Sequence, residues 1–261
     1  MAKMLIKTAI NSDKSSVLNF CTDTFSWGDY IKDVWDYWLT EENLFLIGKQ
    51  FPVGMCHVSF YKNQMWIEGI RIDPNFRRHG LASELIKHVE LLAKEKHVSS
   101  SHMLIEAKNS SSLLMAQSLD YRIFQTWNFY TLLPQSNPNH LVQFGDFINA
   151  KITHYVNSWR WLVLDEETLF LLSRNNKIIL SNQHGLKSIA ILTDSEHFDK
   201  VLIVTLYSGS QKNTLNLVSY IQNYGAEKNY KKIQILTKET LPFLDTLKHQ
   251  TVFNLMQKFL C

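Results

Sequence analysis

Residues 77–82, Arg-Arg-His-Gly-Leu-Ala, place two cationic side chains next to a glycine where an apolar run gives way to an amphipathic pattern. If a helix begins here, its first backbone N–H groups have no intrahelical partner, and its dipole adds partial positive charge. Gly80 and Ala82 leave the backbone accessible, while Arg77 and Arg78 offer bidentate donors. These features predict a pyrophosphate-binding turn. The alternative is an ordinary helix start with an exposed basic pair.

The elements that must position this turn follow from the hydrophobic periodicity, which predicts an α+β order. Because strand 64–72 reaches strand 102–107 through a helix, these two strands must pair in parallel. The other predicted strands of the first half are 4–10, 43–48 and 53–61, with two closing strands in 121–127 and 128–133. The predicted helices run from 11–13 to about 25, over 29–39, from the turn to about 96, and over 110–119.

A segment rich in Pro, Asn and Ser, residues 133–140, separates two predicted domains, 1–136 and 141–261. The second half weakly repeats the strand–helix order of the first, which predicts a smaller domain of the same type; an unrelated small α+β domain is the alternative. In this repeat Thr214 and Asn216 take the places of Gly80 and Ala82, so no pyrophosphate site is expected there. The predicted strands are 159–165, 168–173, 187–194, 200–207, 231–237, 251–253 and 255–260, and the predicted helices are 212–224 and 239–249.

The composition is that of a globular protein, with 45% hydrophobic and 20% charged residues. The net charge of +3 is too small to imply a nucleic-acid partner, for which the basic segment 228–232 is the only support. The three cysteines and ten histidines show no metal-ligand spacing, so no metal site is predicted. The chain has neither a signal-peptide pattern nor an apolar run of membrane length, which favours a cytoplasmic protein and excludes a membrane partner.

The order of motifs around the turn is more specific than the turn alone. The strand that ends in Ile70-Arg71-Ile72-Asp73-Pro74 precedes the turn. The helix after the turn is followed by a strand, and Asn109 then opens the next helix. Residues 4–133 therefore resemble the GCN5-related N-acetyltransferase (GNAT) superfamily, whose acetyl-CoA signature Q/R-x-x-G-x-G/A matches residues 77–82. The resemblance implies the GNAT fold, a central and mostly antiparallel sheet flanked by helices, followed here by a second, smaller GNAT-like domain.

The same resemblance implies acetyl-CoA as cosubstrate, held at two places. The pantetheine arm is expected to pair like an extra strand with Ile70, Arg71 and Ile72, in a gap between that strand and the next. The backbone N–H near Ile70 would stabilise the oxyanion, and Asn109 is expected nearby. The pyrophosphate is expected on the backbone amides of the turn, namely those of Arg77, Arg78, His79, Gly80, Leu81, Ala82 and Ser83.

Direct attack of an amine on the thioester needs a base, because an alkylammonium must first lose a proton. Glu68 is the best candidate, and strand alternation predicts that it shares a face with Ile70 and Ile72. The alternative is that Glu68 only pairs with a cation across the sheet. The sequence departs from the family at Ala116, where a tyrosine commonly protonates the leaving thiolate. Tyr121, Tyr130 or water could replace it, the thiolate could leave unaided, or the protein could bind acyl-CoA without catalysis.

The acceptor is expected to be an amine, of a small molecule or of a protein. The segment 25–45 carries Trp27, Tyr30, Trp35, Tyr37 and Trp38 among acidic residues, and in the family this region commonly walls the acceptor pocket. An aromatic and acidic wall suits a cation, although Trp35 and Trp38 also follow the apolar stripe of a helix. The protein is expected to be a monomer or a homodimer. The leading hypothesis is an acetyl-CoA-dependent N-acetyltransferase, and the alternative is a non-catalytic acyl-CoA-binding or regulatory protein.

Overall fold

The computed structural model describes residues 4–22, 29–138, 140–145, 152–183, 185–242 and 244–260. The chain forms two units. The first consists of Met1–Ile105, Asn109–Phe124 and Leu255–Cys261, and the second of Glu106–Lys108 and Gln125–Asn254.

The first unit is built on a mixed sheet. Its strands follow the order β1-β2-β3-β4-β5, in which β1 to β4 are antiparallel neighbours and β4 and β5 are parallel, as predicted. Its elements are β1 (Leu5–Thr8), α1 (Lys14–Cys21), α2 (Ile31–Thr40), β2 (Leu44–Gly48), β3 (Pro52–Tyr61), β4 (Gln64–Ile72), α3 (Leu81–Glu95), β5 (Ser100–Glu106) and α4 (Ser110–Ser118).

The core of the first unit lies between this sheet and helices α3 and α4. Leu85, Val89 and Ala93 recur at helical spacing along α3 and are fully buried against β3 and β4. Helix α2 buries Trp35 and Trp38 in the same way, and Trp38 stacks on His57 of β3. Cys56 belongs to the core under α3, whereas its neighbour His57 contacts Trp38 of α2. Because neighbouring strand residues point to opposite faces, α2 and α3 cover opposite faces of the sheet.

The second unit repeats the order of strand and helix. Its main sheet follows the order β6-β13-β12-β11-β10-β7, in which β12 and β13 are parallel and the other pairs antiparallel, while β8 and β9 form a separate hairpin. The elements are β6 (Arg122–Leu132), β7 (Gln143–Phe144), β8 (His154–Asn157), β9 (Arg160–Val163), α5 (Glu166–Arg174), β10 (Ile178–Ser181), β11 (Ser188–Asp194), β12 (Val201–Tyr207), α6 (Gln211–Glu227), β13 (Lys232–Thr237) and β14 (Lys248–Phe259).

Three element predictions were wrong. Residues 168–173 lie in helix α5, not a strand: Asp165 accepts a hydrogen bond from the amide of Thr168 at 3.0 Å, an N-cap that outweighs the apolar run. The described residues of 239–249 contain no helix; Leu241, Leu244 and Leu247 have helix-like spacing but pack as a turn segment. Each half was also predicted to close with two strands, and each has one long strand instead, β6 and β14.

The boundaries of the units differ from the predicted segments 1–136 and 141–261, because β6 and β14 each supply residues to both units. Residues 125–132 of β6 belong to the second unit, where residues 128–132 pair with β13. The end of β14 returns to the first unit, where Met256 is fully buried and the ammonium of Lys258 lies 2.7 Å from the Glu90 carboxylate. The first core therefore depends on residues from the far end of the sequence.

This dependence predicts unequal effects of two substitutions in β14. Met256→Ala leaves a cavity in the first core and should lower the free energy of unfolding by about 2–5 kcal/mol. Phe259 is 69% exposed, so Phe259→Ala should change it by no more than about 0.5 kcal/mol. Urea titration of both variants measures the difference. Equal effects would contradict the packing of β14 into the first core.

Candidate functional site

Strand β4 contains a β-bulge next to Glu68. Met55 pairs with Arg71 and His57 pairs with Glu68, so Cys56 alone faces two residues of β4, Gly69 and Ile70. Gly69 adopts a left-handed conformation with φ of 63°, which glycine reaches without steric cost. The extra residue reverses the side-chain alternation of β4 beyond this point.

The reversal corrects one prediction. Ile70 and Ile72 pack with the core under α3, whereas Glu68 contacts His57 on the face covered by α2. Glu68 therefore does not share a face with Ile70 and Ile72, as uninterrupted alternation had predicted.

Strands β4 and β5 separate at the same place. Their parallel pairing runs from Gln64 opposite Ser100 to Ile67 opposite Met103, yet β4 continues to Ile72 and β5 to Glu106. In the described chain no ladder pair joins the two strands beyond Met103. A strand edge without a neighbour presents N–H and C=O groups that can pair with an extended ligand.

The turn after β4 brings residues 77–83 together at the start of α3. The guanidinium of Arg77 donates to the carbonyl of Ile72 at 3.1 Å, and Arg78 and Gly80 both have positive φ. The first helical bond joins the amide of Glu84 to the carbonyl of Gly80 at 3.0 Å, and the hydrogen bonds of the described residues include none donated by the amides of 78–83. A Cβ atom on Gly80 would meet nothing within 4 Å, so the space in front of these amides is open.

The second unit lacks both features. Strands β12 and β13 pair continuously from Val201 opposite Lys232 to Leu206 opposite Thr237. Helix α6 begins at Gln211, and the side chain of its N-cap, Ser210, accepts a hydrogen bond from a backbone amide of the first turn. The corresponding sheet is therefore closed and the helix start is already capped.

The prediction that Thr214 and Asn216 lie at this turn was wrong. Both are inside α6, and Thr214 is fully buried with its hydroxyl 2.9 Å from that of Ser188. The connection between β12 and α6 spans 208–210, whereas that between β4 and α3 spans 73–80, so an alignment without gaps misplaced the helix start by several residues.

Glu68 belongs to a buried cluster centred on His57. The His57 ring has no exposed surface, its Nδ1 lies 3.1 Å from Oε1 of Glu68, and its Nε2 lies 2.8 Å from Oε2 of Glu41. The contact with Glu41 is close, but its direction departs from that of an aligned hydrogen bond. Trp38 stacks on the ring with centroids 4.3 Å apart and planes 1° from parallel.

Sequence reasoning missed His57 and Glu41. A signal for His57 was present: the two-residue turn Lys62-Asn63 sets the register of the hairpin, and that register places His57 opposite Glu68. No comparable signal exists for Glu41, because its position depends on how the end of α2 packs on the sheet.

Arg71 is positioned by Asp29, and both side chains are largely buried. Its Nε donates to Asp29 at 2.6 Å, and its guanidinium lies 5.3 Å from the ring centre of Tyr30. Burial is the largest single effect and opposes the charge of Arg71, but the hydrogen bonds with Asp29 and the charges of Tyr30, Asp29 and Cys21 together raise the pKa of the guanidinium. Arg71 thus carries a permanent charge on the same face as Glu68, while its backbone lies at the edge of the gap.

The two tyrosines considered as proton donors lie elsewhere. Tyr121 is 1% exposed, and its hydroxyl lies 2.6 Å from that of Ser101 and donates to Glu90 at 2.9 Å. Burial, reinforced by the charge of Glu90, raises the pKa of Tyr121. Ser101 lies where β4 and β5 are still paired, so Tyr121 is not at the gap. Tyr130 lies in the core of the second unit. The geometry thus places the Tyr121 hydroxyl in a buried contact with Ser101 and Glu90.

The remaining sequence candidates have structural partners. Asn109 is the N-cap of α4, and its side chain accepts from the amide of Ser112 at 3.1 Å. Ala116 is fully buried in the first core, so the family's tyrosine position points away from solvent here. In the aromatic segment, Trp35 is core, Tyr37 is exposed, and Trp27 lies outside the described residues.

No cluster of three or more His, Cys, Asp or Glu side chains suited to a metal occurs in the described part of the chain.

The gap beside an open helix start is the arrangement expected from the resemblance. The family model described as Acetyltransferase (GNAT) family matches residues 15–121. The match covers less than half of the chain and shows that this segment is similar to the GNAT family. Family members use acetyl-CoA and transfer its acetyl group to amines. No curated protein matches the chain.

Solved structures confirm the GNAT fold over the whole chain, including its smaller second region. A GCN5-related N-acetyltransferase from Sphaerobacter thermophilus is 10% identical, with a TM-score of 0.65, covering 100% of this chain and 96% of its own. A candidate acetyltransferase from Thermoplasma acidophilum is 11% identical, with a TM-score of 0.65 and coverage of 98% and 99%. One from Pyrococcus horikoshii is 13% identical, with a TM-score of 0.58 and coverage of 99% and 90%.

Among the described helices, none combines the length and apolarity of a membrane span.

Two glycines with positive φ, Gly69 in the bulge and Gly80 before α3, should respond differently to replacement by alanine. A Cβ atom on Gly69 would lie 2.5 Å from the Trp38 ring, whereas one on Gly80 would be in open space. Gly80→Ala should therefore cost about 1 kcal/mol of backbone strain, and Gly69→Ala about 2–4 kcal/mol, because Trp38 must also move. Urea unfolding measures both, and near-UV circular dichroism should change only for Gly69→Ala. Equal costs and unchanged spectra would contradict the close packing of Trp38 on the bulge.

Proposed function

We propose that the protein is an acetyl-CoA-dependent N-acetyltransferase that transfers the acetyl group to an amine by direct attack in a ternary complex. The observation that carries this proposal is the gap between β4 and β5, which opens beside the uncapped start of α3. The gap provides the unpaired strand edge that a pantetheine arm requires. The start of α3 provides the unpaired amides that a pyrophosphate requires.

In this proposal the pyrophosphate lies on the amides of residues 77–83, and Arg77 and Arg78, both exposed, neutralise its charge. The pantetheine arm extends along the β4 edge at Ile70, Arg71 and Ile72. Asn109 contributes by fixing the start of α4 rather than by a side-chain contact, since its amide oxygen already caps that helix.

Glu68 is the proposed base. It takes a proton from the acceptor ammonium, and the amine nitrogen then bonds to the thioester carbonyl carbon. Collapse of the tetrahedral intermediate breaks the C–S bond, and the nitrogen loses its second proton to water as the amide forms. The N–H near Ile70 stabilises the oxyanion. Without Tyr121 as proton donor, the CoA sulfur leaves as a thiolate, which is acceptable for a group with pKa near ~8.5.

The two units have different proposed roles. The first holds acetyl-CoA and the catalytic groups. The second is proposed to be a GNAT-like unit that does not bind CoA, because its strands β12 and β13 leave no gap and Ser210 caps the start of α6.

A second candidate function is binding of acyl-CoA without turnover. Ala116, buried at the family's tyrosine position, favours it, as does the absence of Tyr121 from the gap. The two candidates make the same prediction for binding and opposite predictions for release of free thiol.

Glu68→Gln separates them. Calorimetry should show that the variant binds acetyl-CoA as the unaltered protein does, while the amine-dependent release of free thiol falls about 100-fold or more because the base is lost. The amines are a peptide with a free N-terminus, Nα-acetyl-lysine amide and spermidine. Glu95→Gln, an exposed carboxylate at the end of α3, is the control and should leave both readouts unchanged.

Binding of acetyl-CoA without thiol release from any of these amines would favour the non-catalytic candidate. Absence of binding to the intact protein would contradict both.

A further inference from the structure

His57 is a buried polar ring with a carboxylate at each nitrogen. Glu68 approaches Nδ1 from β4, and Glu41 approaches Nε2 from the end of α2. Burying an imidazole without partners is costly, so the two carboxylates and the ring stabilise one another. Neither carboxylate is equivalent to a solvated surface group, since their side chains are only 25% and 20% exposed.

The ring is held in one orientation. Its backbone lies in the central strand β3, and the parallel Trp38 ring covers one side at 4.3 Å. Gly69 permits this approach, because a side chain there would collide with Trp38. The Nδ1 atom of His57 therefore points at Glu68 from a fixed position.

The fixed His57 ring restricts the side chain of Glu68. It is the last β4 residue before the bulge and follows Ile67, where the pairing with β5 ends. A glutamate side chain has three rotatable bonds, and one good anchor removes much of that freedom before a substrate arrives.

We propose that Glu41, His57 and Glu68 form one proton-sharing unit, in which His57 is a positioning residue that holds the Glu68 carboxylate at the opening between β4 and β5. The inference rests on the proposed function, because it assigns a task to the residue that anchors the proposed base. Because the ring contacts both carboxylates, a substitution at Glu41 should alter the environment of Glu68 through His57.

Among the described residues, few other charges face this set. Arg71 and Asp29 pair with each other on the same face, Tyr30 lies against Arg71, and α2 presents Trp38. Substitution of any member of the unit should therefore change the pH dependence of the reaction.

The chain supplies a matched control in His102. It is also buried in the first unit, stacks on Trp66 at 5.0 Å and contacts Ser100 and Gln64, with neither Glu41 nor Glu68 among its described partners. His102→Gln thus removes a buried, tryptophan-stacked imidazole that has a different set of described partners.

The first test is kinetic, with the amine of the earlier panel that reacts fastest. His57→Gln and Glu41→Gln should lower kcat, by up to about 100-fold for His57→Gln, and both should change the shape of the pH–rate profile while the Kd for acetyl-CoA stays the same. His102→Gln should leave kcat and the profile unchanged. If folded His57→Gln and Glu41→Gln proteins keep the normal profile and kcat, the positioning role is refuted.

The second test needs no turnover. Ring nitrogen resonances of ¹⁵N-histidine-labelled protein should shift for His57 in both Glu41→Gln and Glu68→Gln, while those of His102 stay in place. If the protein binds acetyl-CoA but acetylates no amine, the proposed function fails and this response alone still supports the shared unit. Unchanged His57 resonances in either variant would overturn the unit, whatever the kinetics show.

Discussion

The bulge at Gly69 is the feature on which the candidate site depends. One residue in a left-handed conformation inserts an extra position into β4, and three consequences follow at once. Glu68 faces α2 while Ile70 and Ile72 face α3, the pairing with β5 stops, and the missing Cβ admits the Trp38 ring. A regular strand would have kept the sheet closed and placed these side chains differently.

The two units show what the bulge changes, because they share an order of strands and helices. In the second unit the parallel pair β12 and β13 stays in register along its length, and buried polar side chains around Thr214 tie the start of α6 to β11. Those contacts suit a scaffold, since they satisfy groups that a ligand would otherwise use. The first unit leaves the equivalent groups open, which is the physical basis for assigning acetyl-CoA to it.

Much of this arrangement could be predicted from the sequence. The hairpins, the parallel connection and the turn at residues 77–82 are local or follow from periodicity, and the structure contains them. The errors arose where a local pattern conflicted with something outside it: capping at Asp165 overrode an apolar run, and Gly69 interrupted an alternation that had been assumed continuous. The position of Tyr121 and the contact of Glu41 with His57 depend on packing between elements distant in sequence, which no short pattern encodes.

Hydrogen–deuterium exchange with and without acetyl-CoA tests the central claim most directly, because it reports which backbone amides become protected. The account predicts protection of peptides that cover 68–72 and 78–83, with no change in 201–214 or 232–237 of the second unit. Protection confined to the second unit, or binding without protection at the turn before α3, would contradict the assignment of the acetyl-CoA site.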